Sequence, residues 1–502
     1  MRIGTSNAPK LIPTGEATSI LPAHDAKLSP VQVFANQAIR DGFDAGCLVQ
    51  AQNARSGPGV TDVVLGPDAH FGYGAPVGCV LASPTHIYPG PVGVDIKCSM
   101  SLLQTDVPEE ALADKRVRRA LINAIEARTP TGAGRGQRDA PKARQFDEEA
   151  GRMAAIAGAS PSVLERYGIP AGWADRCEDA QHVGHSGTHA DLAQRLDYLS
   201  TTGRFPKLGS KLRQIGSYGG GNHFGECEIV RVQPGQERAA GAFGLQDGHA
   251  AFLSHCGSRG FGFHLANLHF DSLKKHFADW SIPLPAGDAQ LAYAPLGSPE
   301  ADAYLDDMAM GANFATVNHL LINALVLEAF QEVLPGTTGS LVYFISHNIA
   351  RQEVVRGNLS WVHRKGATRA FPAGHHGLKE TPFYETGHPI LLPGNPQAGS
   401  AVMVGLPGAE ASLYSVNHGA GRQMGRRHAF RALDQKEVDA SFEAADILTN
   451  TRHYPLDESP AAYKDFEQVL ASVETAGLAA TVARLEARFV IKDADKSLKG
   501  AA

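Results

Sequence analysis

Residues able to bind a metal or attack phosphorus are unevenly placed along this chain of 502 residues; they gather in short glycine-rich blocks. The first is Gly93-Val94-Asp95-Ile96-Lys97-Cys98. An Asp and a Cys three residues apart in a tight loop can converge on one ion. A thiolate with carboxylate and imidazole partners suits a borderline divalent ion such as Mn²⁺, Zn²⁺ or Fe²⁺. Alone, a free Cys is more often a small buried hydrophobe. The second block runs Gly219-Gly220-Gly221-Asn222-His223-Phe224, with Glu226 following. Its glycines allow close backbone approach, although a tight turn with a hydrogen-bonded His explains the block equally well. The third is His255-Cys256-Gly257-Ser258-Arg259-Gly260, and the fourth is Ser346-His347-Asn348, straight after an apolar strand. Each His alone is more often structural. Two metal ions sharing a thiolate need about five or six ligands, and the chain offers that number.

The fifth block is Asn417-His418-Gly419-Ala420-Gly421-Arg422. Small residues after the His leave room for a bulky group, and a neutral imidazole can act as a nucleophile through a covalent intermediate. Arg422 could pair with a phosphate as a planar fork. A glycine-rich turn starting a helix is the plainer alternative. No GxxxxGK[ST] occurs, which argues against P-loop hydrolysis. Arg351, Arg364, Lys365, Arg369, Arg422, Arg426 and Arg427 adjoin these blocks and could form a phosphate-backbone track.

The elements that must position these blocks are partly legible. Segments 61–65, 340–345, 401–405 and 488–491 read as short strands. A helix is expected from an Asp106 cap to about Arg128, a long one over 301–334, and a shorter one over 463–475. The Gly-, Arg- and Pro-rich stretch 129–142 reads as a mobile basic loop. The mixture predicts an α/β or α+β fold with many connecting loops. The blocks span most of the chain, so one catalytic domain over 1–502 is expected, with an insertion or subdomain at about 129–210. No internal repeat or heptad pattern is visible.

Hydrophobic residues make up 43% and charged residues 20%, as in an ordinary globular protein. The net charge of −6 argues against bulk coating of nucleic acid but leaves room for a local basic track. Six dispersed cysteines without a CxxC pair fit reduced thiols better than a disulfide scaffold. The first residues lack a signal-peptide core, and no continuous apolar run long enough for a membrane span occurs. A soluble cytoplasmic protein without a membrane partner is expected.

Eight phrases in order resemble the RtcB family of RNA ligases: PDAHFGYGAPVG (67–78), PVGVDIKC (91–98), GSYGGGNHFGE (216–226), HCGSRGFG (255–262), SHNIA (346–350), GATRAFPAG (366–374), LLPGN (391–395) and NHGAGR (417–422). The segment 462–465 extends the match toward the C-terminus. The resemblance implies that Asp95, Cys98 and His223 hold one Mn²⁺, and that Cys98 bridges to a second held also by His255 and His347. It implies that His418 attacks the α-phosphate of GTP and becomes guanylylated. Asn222, Asn348, Arg259 and Arg422 would face phosphates. Glu226, Tyr463 and a C-terminal lysine, Lys492 with Lys499 as its rival, would contact guanine. Asn395 and residues 419–421 (Gly419, Ala420 and Gly421) complete the nucleotide-binding set. The partners implied are GTP and RNA bearing 3′-phosphate or 2′,3′-cyclic phosphate and 5′-hydroxyl ends, in tRNA splicing or RNA repair. An activating protein is left open.

The chain departs from the family pattern at Lys97 and Ser99, where glycine or asparagine and then glycine are usual. A cation there could lower the Cys98 thiol pKa or compete with a metal. Pro-Gly-Asn-Pro stands at 393–396 in place of Pro-Gly-Ser-Met, and His70-Phe71 replaces His-Pro, a change expected to matter little. The rival readings are a metal-dependent phosphatase or cyclic phosphodiesterase without nucleotidyl transfer, and a silent RNA-binding protein.

Overall fold

The computed structural model describes residues 9–142, 144–279 and 281–493. Two large sheets carry the candidate site. The seven-stranded sheet runs Ile12–Pro13, Thr18–Leu21, Val31–Phe34, Asp62–His70, Val77–Ser83, Asn358–Lys365, Asn348–Val355. Within this sheet, among the described residues, only Val31–Phe34 and Asp62–His70 pair in parallel. The eight-stranded sheet runs Gly339–Ser346, Ser99–Pro108, His249–Cys256, Phe224–Val232, Ala479–Lys492, Gly399–Gly405, Pro389–Asn395. Leu448–Thr449 joins it parallel to Ala479–Lys492. This is the expected mixed α/β class.

Much of the eight-stranded sheet is buried on both faces, so strands such as Gly339–Ser346 and Gly399–Gly405 read as apolar runs without alternation. Ser99–Pro108 is buried over its first seven residues. One face meets the largest core cluster, built around the helix Pro299–Val333. The opposite face packs Val230, Phe243, Leu391 and Val482 together. A third cluster joins the two sheets through Val64, Val80, Leu392, Met403 and Phe466. Pro299–Val333 begins at a Ser298 cap with Pro299 at its first position. By length and mean hydropathy this helix could cross a membrane, but 94% of its most apolar window is buried within the protein.

Several element bounds differ from those predicted. Asp106 does not cap a helix; it lies in Ser99–Pro108 and accepts from the Thr338 N–H and hydroxyl. The helix is Lys115–Glu126, capped by Asp114, whose side chain accepts from Arg116 N. Helix 463–475 shortens to Phe466–Thr475 behind an Asp465 cap, and Tyr463 instead bridges to Arg422. The strand read at 488–491 extends over Ala479–Lys492, because its early residues alternate between buried and half-buried positions and carry no continuous apolar signal.

The stretch 129–142 is pinned, not free. Gly132 N donates to Gly219 O, Gln137 donates to the carbonyls of Arg128 and Gly216, and Gln137–Asp139 form a 3₁₀ turn. Helices Glu148–Ala157, Pro161–Tyr167 and His189–Thr201 follow, and their apolar faces enter the same core as Pro299–Val333.

Candidate active site

Strand ends and tight loops deliver the glycine-block residues to one cleft of about 350 Å³. His255 sits near the end of His249–Cys256, paired with Phe224 on one side and Met100 on the other. His223 precedes Phe224–Val232, His347 follows Gly339–Ser346, and Cys98 precedes Ser99–Pro108. Adjacent strands of one sheet therefore present all four side chains at one edge.

The Cys98 Sγ lies 3.2 Å from His255 Nε2 and 3.4 Å from His223 Nε2. These three donor atoms fall within 4.8 Å of one another. His255 Nε2 is 3.3 Å from His347 Nε2, and His223 Nε2 is 3.0 Å from Asp95 Oδ2. Backbone carbonyls orient two of the rings. His223 Nδ1 donates to Tyr218 O (2.9 Å) and His255 Nδ1 to Asn222 O (3.1 Å). A carbonyl can only accept, so each Nδ1 carries a proton; His255 Nε2 then turns its lone pair toward the thiol, as oriented metal-ligating histidines do, and His223 Nε2 stands between the thiol and the Asp95 carboxylate. Ser258 N donates to Asp95 Oδ1 (3.1 Å). That approach needs Gly257, where a Cβ would lie 2.3 Å from both carboxylate oxygens.

Electrostatics fit a cation at this point. Burial keeps His255 and His347 far below the usual imidazole pKa, in the neutral ligating form. Burial opposes charge on Asp95, but the hydrogen bond and charge of His223 hold its carboxyl below the usual range. Burial, then the neighbouring Asp95, pushes the Cys98 thiol well up; ligation to a divalent ion is what would favour its thiolate. A carboxylate, a thiol and three imidazoles gathered at one point suit the borderline divalent ions.

His418 lies beside this cluster, its ring 4.7 Å from that of His347. It directly follows Ser415–Asn417, which pairs with Ala367–Arg369. Its Nδ1 donates to Asp68 Oδ2 (2.7 Å) and to Gly366 O (2.9 Å). Asp68 is fully buried at the end region of Asp62–His70. With the proton fixed on Nδ1, Nε2 carries the lone pair. Gly421 makes the contact possible, since a Cβ there would lie 2.2 Å from Asp68 O. The sequence reading missed Asp68, although it sits inside the PDAH phrase; nothing local marks it as the partner of a residue 350 positions away.

The rest of the cleft is lined by Asn222, Glu226, Asn348, Asn395, Gly419, Ala420, Gly421, Arg422, Tyr463 and Lys492, all singled out from sequence. Asn348 Nδ2 donates to Asp95 O and its Oδ1 accepts from Gly366 N, tying the metal loop to the His418 loop. Asn395 Oδ1 accepts from Gln397 N and Ala398 N, closing the Pro-Gly-Asn-Pro turn. A second missed residue, Glu458, organises the far end. It pairs with Arg422 (3.1 Å), Arg426 (3.0 Å) and Lys492 (2.9 Å) and accepts from the Tyr463 hydroxyl (2.6 Å). Its segment has no glycine block or periodicity to advertise it. Lys499 falls outside the described residues.

Some expected roles change. Arg259 does not line the cleft: its guanidinium donates to Ser217 Oγ and the carbonyls of Tyr218, Gly132 and Arg135, locking two loops together. Arg351, Arg364 and Arg369 do not form a phosphate track. They turn into a buried network with Asp179, Glu353 and Glu178. Lys97 points away from the thiol, donating to the carbonyls of Glu178 (3.2 Å) and Asp179 (2.8 Å) and to Thr316 Oγ1 (2.8 Å). Ser99 Oγ donates to Lys97 O.

Fold and site together define a mixed α/β protein with a buried His/Cys/Asp centre able to hold a metal and a carboxylate-oriented histidine at its side. The family model described as tRNA-splicing ligase RtcB matches residues 50–493. The tRNA-splicing ligase RtcB of Archaeoglobus fulgidus is 33% identical over 487 residues, covering 92% of this chain and 94% of that protein. The RNA-splicing ligase RtcB of Mycobacterium tuberculosis is 34% identical over 449 residues, covering 87% and 98%. The tRNA-splicing ligase RtcB of Aeropyrum pernix is 32% identical over 461 residues, covering 89% and 91%. The chain belongs to the RtcB family.

Proposed function

We propose that this protein is an RNA ligase that joins RNA 3′-phosphate or 2′,3′-cyclic phosphate ends to 5′-hydroxyl ends, using GTP, two Mn²⁺ ions and a guanylylated His418. The reading treats the chain as one catalytic domain with an insertion at 129–210, acting in tRNA splicing or RNA repair. The observation that carries it is the orientation of His418: Nδ1 is held by Asp68 and Gly366, so Nε2 is the nucleophilic nitrogen.

Asp95, Cys98, His223, His255 and His347 would hold the metals, which when bound withdraw charge from phosphate oxygens. His418 Nε2 attacks the α-phosphorus of GTP; the N–P bond forms, the α–β bridging bond breaks, and pyrophosphate leaves. Asp68 stabilises the positive charge that the ring acquires. An oxygen of the RNA 3′-phosphate then displaces the imidazole, giving a 3′-end joined to GMP through a pyrophosphate. A 2′,3′-cyclic phosphate is first opened by water. Finally the 5′-hydroxyl loses its proton and attacks the 3′-phosphorus; the phosphodiester forms and GMP leaves. Glu226, Tyr463 and Lys492, at the far end of the cleft, serve as guanine contacts.

The test is incubation with α-labelled GTP and Mn²⁺ followed by denaturing electrophoresis. Wild type should retain label and His418→Ala should not. Equal labelling of both, or none in wild type, overturns the mechanism. RNA ends that lose phosphate without protein labelling would instead indicate the phosphatase reading.

A further inference from the structure

The helix Arg259–Asp279 buries Phe261, Leu265, Ala266, His269, Leu273 and Phe277 on its inner face. A helix with so complete an apolar stripe needs no aromatic residues outside it. Yet Phe263 is 54% exposed, and Phe270, seven residues on and on the same side of the helix, is half-buried with part of its ring against the core. Phe270 packs on Tyr73 with ring centroids 5.3 Å apart. Tyr73 is itself 42% exposed and lines the candidate cleft, and two residues before it Phe71 is 60% exposed. The helix also starts at the metal cluster, since Ser258 N bonds Asp95 immediately before its first turn. Tyr73 and Phe270 thus carry an aromatic contact from the cleft onto the helix, with Phe263 two turns away on the same side and Phe71 exposed two residues before Tyr73.

Cations accompany them. Lys274 and Lys275 are exposed on the same helix, Lys211 packs against Gly260 in its first turn, and Arg135 is exposed on the loop that Arg259 anchors. Asp271 and Asp288 lie near Tyr73, so the flank is no simple polycation, and stacking is its distinguishing chemistry. Phe263 and Phe270 are separated by about 10 Å along the helix, roughly three base steps of a stacked strand. Exposed aromatic faces with interleaved cations are the usual platform for unpaired nucleotides.

We propose that Phe71, Tyr73, Phe270 and Phe263 form a stacking track for the single-stranded segment of the RNA substrate leading to the end held in the cleft. The proposal rests on the RNA-ligase reading for its ligand class. It makes the enzyme select ends by unpaired length, not by base sequence, because every base has a stacking face.

The full-length Phe263→Ala/Phe270→Ala protein is compared with wild type in two assays. The first is His418 guanylylation with labelled GTP, which needs no RNA and reports an intact fold. The second is binding of a 3′-phosphorylated RNA, with either a long unpaired end or a blunt duplex end, by fluorescence anisotropy. Guanylylation should be unchanged, while Kd for the unpaired RNA rises at least about fivefold per lost stacking contact and Kd for the blunt duplex stays constant. Phe263→Trp should restore binding. Unchanged Kd for unpaired RNA with guanylylation intact overturns the track and points to a protein occupant; equal weakening for both RNAs also overturns it. Absence of guanylylation in wild type defeats the ligase reading alone, because the binding comparison still decides the track.

Discussion

Asp68→Asn is the sharpest probe of how His418 is set. The change removes one negative charge from a fully buried site and keeps the side-chain shape. In wild type the 2.7 Å contact from His418 Nδ1 is a hydrogen bond to a charged acceptor, worth about 1.5–3 kcal/mol. Most of this is felt when the imidazole becomes positive on attack, since the bond strengthens as charge develops. At about 1.4 kcal/mol per tenfold in rate, guanylylation should slow about 10- to 150-fold. A larger loss, of about 10⁴-fold, follows only if the amide flips the ring tautomer and places the proton on Nε2. The Gly366 carbonyl, 2.9 Å from the same Nδ1, opposes that flip because it also requires a proton there. The assay is single-turnover labelling of the protein by α-labelled GTP at saturating nucleotide, with thermal unfolding measured in parallel. A rate within about threefold of wild type, with the fold intact, would refute the orienting role. A 10⁴-fold loss would show that Gly366 alone cannot hold the tautomer.

Three further outcomes are expected. Cys98→Ser should lower Mn²⁺ bound per chain, read by elemental analysis after gel filtration; losing a supporting partner alone costs about 10–100-fold in affinity, and the thiol touches two of the histidines directly. Lys97→Met should cost stability, about 1–3 kcal/mol for each acceptor among Glu178 O, Asp179 O and Thr316 Oγ1 that cannot reach water, read as a lower urea midpoint. Burial, opposed in part by Glu228 hydrogen bonding and Lys492, pushes the Glu226 carboxyl up to about 7. The folded state therefore holds a proton that the unfolded chain releases near the ordinary value of 4.5. This contribution to stability is complete below 4.5 and lost as pH rises through about 7, so a urea-midpoint series across that window should slope downward, and less steeply in Glu226→Gln, where Glu228, also pushed up by burial, keeps part of the slope.

Residue type and order alone determined the family, the mixed fold class and many, though not all, of the residues lining the cleft, because glycine blocks let backbone and ligand approach closely. Gly257 against Asp95 and Gly421 against Asp68 are such approaches. The apolar strand before His347 was equally legible, since a strand buried on both faces writes a continuous apolar run. The sequence could not say which way a charge points. Arg351, Arg364 and Arg369 look like a phosphate track in one dimension, yet the alternation of Asn348–Val355 and Asn358–Lys365 turns the first two, and the end of Ala367–Arg369 the third, toward Glu353, Glu178 and Asp179. Lys97 likewise turns its ammonium away from the neighbouring thiol into a ring of backbone carbonyls. The partners that matter most to the site, Asp68 for His418 and Glu458 for Lys492, come from positions far apart in sequence or without pattern. Only the tertiary packing brings them within hydrogen-bonding distance, because long-range contact depends on topology, which local composition does not encode.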